Sequence, residues 1–563
     1  MKTLKSTLLV GRIGAAAAVL LLAACTGSQP AGGPAGSGGD AGTAPASGAI
    51  KVDKLVFATA PPATENNIER MLGQFDAVAL KPIYEFLVGH GPDTDKLVPQ
   101  LATDWKLEPD GKGYRFQLKK GVQFHKGLGE FTAKDVVFTW EEETKADALQ
   151  AEAPYWRSTV KRIDIINDYE VVFQIEPDSN FLHGLSEAES GMEVRSKADY
   201  DKRGDPTPQT EPLAGTAPYQ FVSRELQQYI RFQKTPFQHY RVTPDFPEFE
   251  FRYIKEGSTR LASLLAGESH MATLGRDLQD RAGKEGMKVV RGRVPGARIF
   301  LNPTAAFVAD VDKLEGWLYP DSPLMDVRVR KALQKAVNVE ELSKVFFGGT
   351  GQTMYNPMIN EVRQGWNPDW QKNYKDEYGY DADAARKLLS DAGYTAARPL
   401  ETSLHVVELG NYPGMPDMIE AIGNYWRTVG VKVTLLQIDP AQRAQQNRQL
   451  RFSNDWQIDQ TSTAQYTGVF SRFISQKRVP PRGGKHPDLD RLFFQVRQEL
   501  DEKKQDAWWR QIGDWMYKDH TVLNLFWVPV DVTVNPKVVS DYVWPGISGG
   551  NWTHVWYIKA AAK

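Results

Sequence analysis

The chain has 563 residues, with 68 Lys and Arg against 70 Asp and Glu, and 41% of its residues are hydrophobic. The near-neutral charge gives no electrostatic footprint for nucleic acid, and no long apolar window after the N-terminal segment predicts a membrane-spanning helix. A folded part of this length is too large for one core, which predicts two or three domains.

The N-terminal segment has the parts of an export signal. Its apolar stretch, residues 13–22, is too short to span about 30 Å of hydrocarbon. Cys25, the only cysteine in the chain, follows Ala23 and Ala24. This order resembles a bacterial lipoprotein signal, which predicts that residues 1–24 are removed and that Cys25 carries the lipid. An ordinary secretory signal with an unrelated cysteine is the alternative. Basic residues precede the stretch: Lys2, Lys5 and Arg12.

Residues 25–49 are mainly Gly, Ala, Pro and Ser. Such a segment cannot bury enough apolar surface to offset the entropy lost on ordering, so it is predicted to be a flexible tether. Removal of residues 1–24 takes away three cations and no acid, which leaves a net charge of about −5.

The first folded part is predicted to contain mostly strands. Thr132, with Asp135 three residues later, predicts the N-terminus of a helix that runs toward Glu143. Alternating or apolar runs bounded by turn residues predict strands at 54–59, 114–118, 121–125 and 170–175.

The second half is predicted to be more helical. Asn338 and Glu341 have the spacing of a capping box, and Gly348 follows as a stop. A preceding helix over residues 326–337 would place four apolar residues on one face: Val329, Leu333, Ala336 and Val337. Further helices are predicted at 382–392 and 419–429, with a strand at 432–438. The mixture predicts an α/β protein.

Several segments, in this order, resemble the bacterial extracellular solute-binding protein family 5, which serves peptide, dipeptide and nickel ABC importers. Gly215-Thr-Ala-Pro-Tyr219, for example, resembles the GTGPY turn of that family, with Ala217 in place of the usual Gly. The other segments are 82–88, 97–105, 109–111, 114–116, 120–125, 131–137, 265–268, 327–330 and 380–394.

The resemblance implies an α/β, two-lobed periplasmic-binding-protein fold (type II, large cluster C-like) with an extra subdomain in lobe I. Two crossing strands would form a hinge, and ligand would bind in the cleft between the lobes. The boundaries carried over are lobe I at 50–87, 191–300 and 525–563, the extra subdomain at 88–190, and lobe II at 301–524.

The resemblance also implies where ligand binds: the loop after the first strand, the region after the strand at 432–438, and the last crossing strand. Peptide-binding members usually carry an acid in a motif like Asp-Tyr-x-x-Pro, whose carboxylate pairs with the ligand's amino terminus. Here that acid falls near Thr463 or Ala464, and neither is acidic. Either Asp459 replaces it or the ligand has no free amine there, because a buried ammonium without a charged partner costs several kcal/mol.

The candidate ligand-binding residues come from these three regions. Trp456 and Tyr466 could stack on a ring, and the hydroxyl and amide groups could bind polar atoms. The alternatives are a core position for Trp456, a solvated loop position for Asp459, and capping or turn roles for Gln460 and Thr461. The full set is Ala60, Pro61, Trp456, Asp459, Gln460, Thr461, Ser462, Tyr466, Phe526 and Trp527.

No catalytic or metal-binding constellation is complete. Gly546-Ile-Ser-Gly-Gly550 matches the nucleophile-elbow spacing around Ser548, but no Asp or Glu follows it. The nine histidines include no pair at i, i+4, so no structural zinc site is expected. The sequence therefore predicts no enzymatic activity, no cofactor and no bound metal.

These observations predict a membrane-anchored substrate-binding component of an ABC importer, which captures a small peptide or similar polar organic solute. Its predicted partners are a permease and an ATPase, with membrane contact through the lipid only, no nucleic acid, and a monomeric state. The predicted location is extracytoplasmic: the periplasm or the outer face of the cell membrane. A binding protein for an oligosaccharide or an opine-like conjugate, or an extracellular sensor or chaperone, is the alternative.

Overall fold

The computed structural model describes most of the chain from residue 50 onward. The predicted signal peptide, the tether with Cys25, and the candidates Ser462, Tyr466 and Ser548 lie outside the described residues. Those residues are 50–562 without 63, 73–75, 95, 151, 188–191, 208, 311, 408–413, 439, 462–468, 470–486 and 547–551.

A seven-stranded mixed sheet forms the first lobe. Its central strand, Lys54–Thr59, lies between two parallel neighbours, Glu248–Tyr253 and Met271–Ala272. Leu55 and Phe57 from the central strand are completely buried in the apolar cluster on one face, and Ala58 in the cluster on the other. The strand order is Lys288–Arg291, Asp531–Val534, Met271–Ala272, Lys54–Thr59, Glu248–Tyr253, Tyr229–Lys234, Tyr219–Glu225.

A six-stranded sheet forms the second lobe and is covered on both faces. One apolar cluster contains Ile299 and Leu301, and the cluster on the other face contains Phe300. Strands buried on both faces read as apolar runs, so their sequence does not reveal which face a residue joins. The strand order is Gln352–Thr353, Leu523–Val528, Ala297–Pro303, Asp455–Thr461, Glu401–Val406, Lys432–Gln437.

A four-stranded antiparallel sheet forms the extra subdomain. Helix Ala133–Glu143 packs against it and begins with the capping box of Thr132 and Asp135. The apolar cluster of this part also includes Met192, Val194 and Ala214, beyond the predicted boundary at 190. The strand order is Ala102–Leu107, Gly113–Leu118, Glu170–Ile175, Val160–Asn167.

Helices and three short two-stranded sheets complete the described fold. The strand pairs are Val88–His90 with Leu97–Pro99, Val308–Asp310 with Glu315–Trp317, and Val539–Tyr542 with Ile558–Ala560. The other α-helices are Ala153–Thr159, Phe181–Gly184, Lys197–Arg203, Gly257–Leu265, Arg276–Lys284, Val327–Lys335, Val339–Phe347, Pro368–Glu377, Ala382–Asp391, Met415–Thr428, Pro440–Arg448, Pro487–Gln498 and Glu502–Asp519.

Two crossing segments join the lobes. Residues 292–296 lead into Ala297–Pro303, and residues 529–530 lead from Leu523–Val528 into Asp531–Val534. The predicted boundaries at 300/301 and 524/525 therefore fall inside strands of the second lobe, and the division into domains stays a prediction. The predicted two-lobed α/β fold is confirmed, and the segments that cross between the lobes lie between strands.

Gly292 brings the crossing segments together. Its N–H donates to the carbonyl of Val530 at 2.8 Å. A Cβ at Gly292 would lie 2.8 Å from the Cα of Gly546, closer than side-chain carbons approach backbone. Only glycine fits this position without moving the backbone.

Candidate functional site

A cavity of about 790 Å³ lies where the strands of the first lobe end. Strands that run parallel present their carboxyl ends at one edge, and the chain leaves the strands there as loops that form a crevice. Ala60 follows the central strand and lines this cavity, whereas Pro61 is absent from its lining, and ligand binding by these residues stays a prediction. Helices Gly257–Leu265 and Arg276–Lys284 begin at the same edge.

The second lobe supplies the opposite wall of this cavity, which is the larger cavity when compared with the one beside Trp527. Phe347 and Thr350 come from the C-terminal end of helix Val339–Phe347, and Met415 from the start of helix Met415–Thr428. Gln460, near the end of strand Asp455–Thr461, lines the cavity, and its contact with ligand stays a prediction. The cavity therefore has walls from both lobes, beside the crossing segment at Pro529.

Arg276 connects the two walls. It is the first residue of its helix in the first lobe, and its guanidinium donates to the carbonyl of Phe347 at 2.8 Å and to the hydroxyl of Thr350. It also donates to Gln279 at 2.9 Å within its own helix. Because two of its three acceptors belong to the other lobe, this side chain favours the closed arrangement of the lobes.

Strand Asp455–Thr461 sends its side chains in two directions. Trp456 is completely buried in the second-lobe core, with its ring centroid 5.6 Å from that of Trp426. This placement corrects the predicted stacking role of Trp456, because its ring is sequestered from ligand. Asp459 pairs in register with Phe300, on the face opposite to Gln460, and is absent from the lining of the larger cavity. For Thr461 the structure gives the backbone register with Arg298.

The side chains of strand Leu523–Val528 also point to two different faces of the sheet. Phe526 is completely buried in the core, where its ring centroid lies 5.2 Å from that of Phe347, so the predicted contact of Phe526 with ligand is corrected. Trp527 lines a separate cavity of about 240 Å³ with Tyr355 and Trp366. This smaller cavity also has amide groups in its wall, from Gln352 and Asn360.

Two buried arginines flank the Trp527 ring. The guanidinium carbons of Arg298 and Arg363 each lie 5.4 Å from its centroid, a distance typical of cation–π contacts. Arg298 also donates to the sulfur of Met358 at 3.0 Å, and Arg363 to the carbonyl of the same residue at 3.3 Å. The smaller cavity thus has aromatic and amide groups in its wall, and the two guanidinium groups contact the Trp527 ring from outside that lining.

Asp531 is the site residue that sequence reasoning missed. It is the first residue of strand Asp531–Val534, directly after the crossing segment, and it lines the larger cavity. Gln279 donates to its Oδ1 at 2.8 Å, and burial raises the pKa of the Asp531 carboxyl above its ordinary value. Its only signal in the sequence was its position as an acid directly after the apolar run 525–530. An acid in such a position is also expected in an ordinary turn.

The described residues contain no group of three or more His, Cys, Asp or Glu side chains that could hold a metal ion. His125, from the family-like segment at 120–125, is buried, and its Nε2 lies 2.8 Å from the carbonyl oxygen of Ala217. Burial lowers the pKa of His125 to about 4, so its ring is neutral near pH 7. In the same part of the chain, no helix combines the length and apolarity that crossing a membrane requires.

Comparison with protein families gives one match over most of the folded part. The model described as Bacterial extracellular solute-binding proteins, family 5 Middle, matches residues 96–476. The dipeptide-binding protein of Escherichia coli (strain K12) is 27% identical over 383 residues, which are 64% of this chain and 67% of that protein.

Solved structures are similar in fold. A periplasmic binding protein from Helicobacter pylori in complex with the peptide STSA superposes with a TM-score of 0.69 at 21% identity, over 90% of this chain and 98% of that one. The binding protein AgaA of A. tumefaciens R10 in complex with agropinic acid gives a TM-score of 0.67 at 19% identity, over 91% of this chain and 99% of that one. At these identities the similarity concerns the fold alone.

Proposed function

Because the chain belongs to the bacterial extracellular solute-binding proteins of family 5, we propose that it captures a small peptide or similar polar organic solute for an ABC importer. The observation that carries this proposal is the cavity of about 790 Å³ with walls from both lobes. Cavities of roughly 300 to 1,000 Å³ are typical of small-molecule sites. No catalytic role is proposed.

The proposed mechanism is closure of the lobes around the solute. The crossing segments at 292–296 and 529–530 are the connections about which the lobes would move. Solute bound between the walls would add contacts that exist only when the lobes are closed, and a ligand shifts an equilibrium by its difference in affinity for the two states. A permease and its ATPase would then recognise the closed form.

A binding panel tests the proposed function. The full chain in detergent is screened by thermal shift against di- to hexapeptides, their N-acetylated forms, oligosaccharides, opines and nickel. A ligand at 1,000 times its dissociation constant stabilises by about 4 kcal/mol, which for a chain of this size corresponds to several degrees. A response to peptides supports the proposal, whereas a response to nickel alone would contradict it.

A sugar or an opine-like conjugate is the second candidate. The smaller cavity favours it, since Tyr355, Trp366 and Trp527 could stack on a ring while amides from Gln352 and Asn360 bind hydroxyl or carboxylate groups. In the same panel, a shift with these compounds and none with peptides would select this candidate.

Lipid anchoring through Cys25 is part of the proposal, and it places the protein outside the cytoplasm as a monomer held to the membrane by lipid alone. The apolar stretch before Cys25 and the tether after it support this location. Replacement of Cys25 by Ala is expected to move the protein from the membrane fraction to the soluble fraction, because stable anchoring takes more than one acyl chain and the thioether-linked diacylglycerol would be lost. A Cys25→Ala protein that still sediments with membranes would contradict the anchor.

A further inference from the structure

The larger cavity is lined by more acids than bases. Its three cationic residues are Lys255, Arg260 and Arg276, and its five acids are Glu256, Asp277, Asp280, Asp417 and Asp531. Within the described part of the chain, none of these five carboxylates forms an ion pair. The cavity wall therefore carries more acidic than basic side chains, and Arg276 and Arg291 are the cations whose charge acts on Asp531.

Both arginines of the cavity are occupied by acceptors of the protein itself. Arg260 donates to the carbonyls of Ile254 and Thr273, each at 2.7 Å. Arg276 donates to Gln279, to the Phe347 carbonyl and to Thr350. These hydrogen bonds hold both guanidinium groups against the walls of the cavity.

Among the five acids, Asp531 is the one held in a fixed position. Gln279 is 5% exposed, and its amide donates to the carbonyl of Leu274 at 3.0 Å as well as to Oδ1 of Asp531 at 2.8 Å. Both amide hydrogens of Gln279 are thus used, and they fix the orientation of the carboxylate. A charge held in place before binding costs less to reorganise than a mobile surface carboxylate.

We infer that the Asp531 carboxylate holds a primary ammonium group of the solute, and this inference rests on the proposed function. The assignment gives the cavity the acid that the sequence lacks near Thr463 and Ala464, and it comes from the first lobe instead of the second. A peptide amino terminus and a lysine side chain both offer this group.

The test compares Asp531→Asn with Asp376→Asn, a control that removes an exposed carboxylate of helix Pro368–Glu377, outside the lining of both cavities. Calorimetry on the full chain in detergent uses free dipeptides, N-acetylated dipeptides and N-acetylated dipeptides that contain lysine. A hydrogen bond to a charged group contributes about 1.5–3 kcal/mol, so Asp531→Asn is expected to weaken binding of ammonium-bearing ligands about 10- to 150-fold. Asp376→Asn is expected to change it less than about threefold, as for an exposed charge.

The ligand that binds identifies the source of the ammonium group. Binding of free dipeptides that acetylation abolishes indicates the amino terminus, and binding of the acetylated lysine peptides indicates the side chain. Equal affinity of Asp531→Asn and the unchanged protein for either ligand would overturn the inference while leaving solute binding intact, as would equal losses in the two variants. Binding only of solutes without an ammonium group would overturn it as well.

A melting curve without ligand separates binding from folding. Burial raises the pKa of Asp531, so its ionised carboxylate is less stable in the folded protein than in the unfolded chain. Asp531→Asn is therefore expected to melt at the same temperature as the unchanged protein or above it. A large drop in melting temperature would assign the residue a structural role and overturn the inference.

Discussion

The carboxyl of Glu143 is completely buried and accepts a hydrogen bond from Arg195 at 2.7 Å. Arg195 also pairs with Glu69 at 3.1 Å, so one buried cation serves two acids, with Glu193 as a further negative charge nearby. Burial is the largest influence and raises the pKa of Glu143 to about 8; it also raises the pKa of Glu69. The Glu143 carboxyl therefore retains its proton at neutral pH.

Because Glu143 retains this proton, the free energy of unfolding is predicted to depend on pH. A carboxyl whose folded pKa is raised contributes stability that is complete below its unfolded pKa and is lost as the pH rises through its folded pKa. For Glu143 the loss spans about pH 4.5 to 8. Glu143→Gln resembles the protonated form, so its melting temperature is expected to fall by fewer degrees between pH 6 and pH 9 than that of the unchanged protein.

The control for this prediction is Glu176→Gln, since Glu176 is exposed and pairs with Lys161 at the surface. Its melting temperature is expected to follow that of the unchanged protein over the same pH range. Parallel curves for Glu143→Gln and the unchanged protein would show that Glu143 is already ionised at pH 6.

At the scale of elements, local sequence signals placed many boundaries well. Strands Lys54–Thr59 and Glu170–Ile175 have the predicted limits, and Thr132 caps helix Ala133–Glu143. In the second half, the side chain of Asn338 accepts from the N–H of Glu341, and Gly348 ends the helix in a left-handed conformation. These signals succeed because caps and alternation act within a few residues of the chain.

The predicted strand at 121–125 is wrong, and the reason is local. Gly121, Gly127 and Gly129 all have positive φ, which bends the chain away from a ladder, and the structure has an isolated bridge between Gln123 and Glu130. Val122 and Phe124 are buried in the core of the extra subdomain. The alternation that suggested a strand thus reflects a loop that is fixed to a core by alternate side chains.

Gly292, in the first crossing segment, is predicted to be needed as glycine for the stability of the fold. Gly292→Ala would place a methyl group 2.8 Å from the Cα of Gly546, so it is expected to destabilise the protein by about 1–3 kcal/mol, the cost typical of overpacking. Gly283→Ala is the matched control, because its Cβ would meet nothing within 4 Å inside helix Arg276–Lys284. Alanine there is expected to stabilise by up to about 1 kcal/mol.

Urea unfolding of both variants measures the difference. A midpoint for Gly292→Ala that equals that of the unchanged protein would mean that the backbone at Gly546 moves away from residue 292 at little cost. That result would remove the structural reason for glycine at the crossing.

At the scale of the whole molecule, Arg276 is the described side chain whose hydrogen bonds span the larger cavity from one lobe to the other. Arg276→Met keeps much of the side-chain volume and removes the donors. Hydrogen bonds from a charged group contribute about 1.5–3 kcal/mol, so the closed arrangement is expected to lose about this much stability. Small-angle scattering without ligand is expected to give a larger radius of gyration for Arg276→Met.

Arg260→Met is the control, because Arg260 donates only to carbonyls of its own lobe. It removes a cavity cation without removing a connection between lobes, and its radius of gyration is expected to match that of the unchanged protein. An unchanged radius for Arg276→Met would mean that other contacts hold the lobes together.

The sequence by itself determined many of the local elements and the resemblance to a solute-binding family, whereas ligand binding by Ala60 and Gln460, which lie in the cavity wall, stays a prediction. Tertiary structure decided the rest, since both faces of the six-stranded sheet are covered and neighbouring residues such as Phe526 and Trp527 join different clusters. The cavity depends on contacts between distant parts of the chain. Gln279 and Asp531 are 252 residues apart, and no local pattern encodes that they meet, because the pairing arises only when the crossing segment returns to the first lobe.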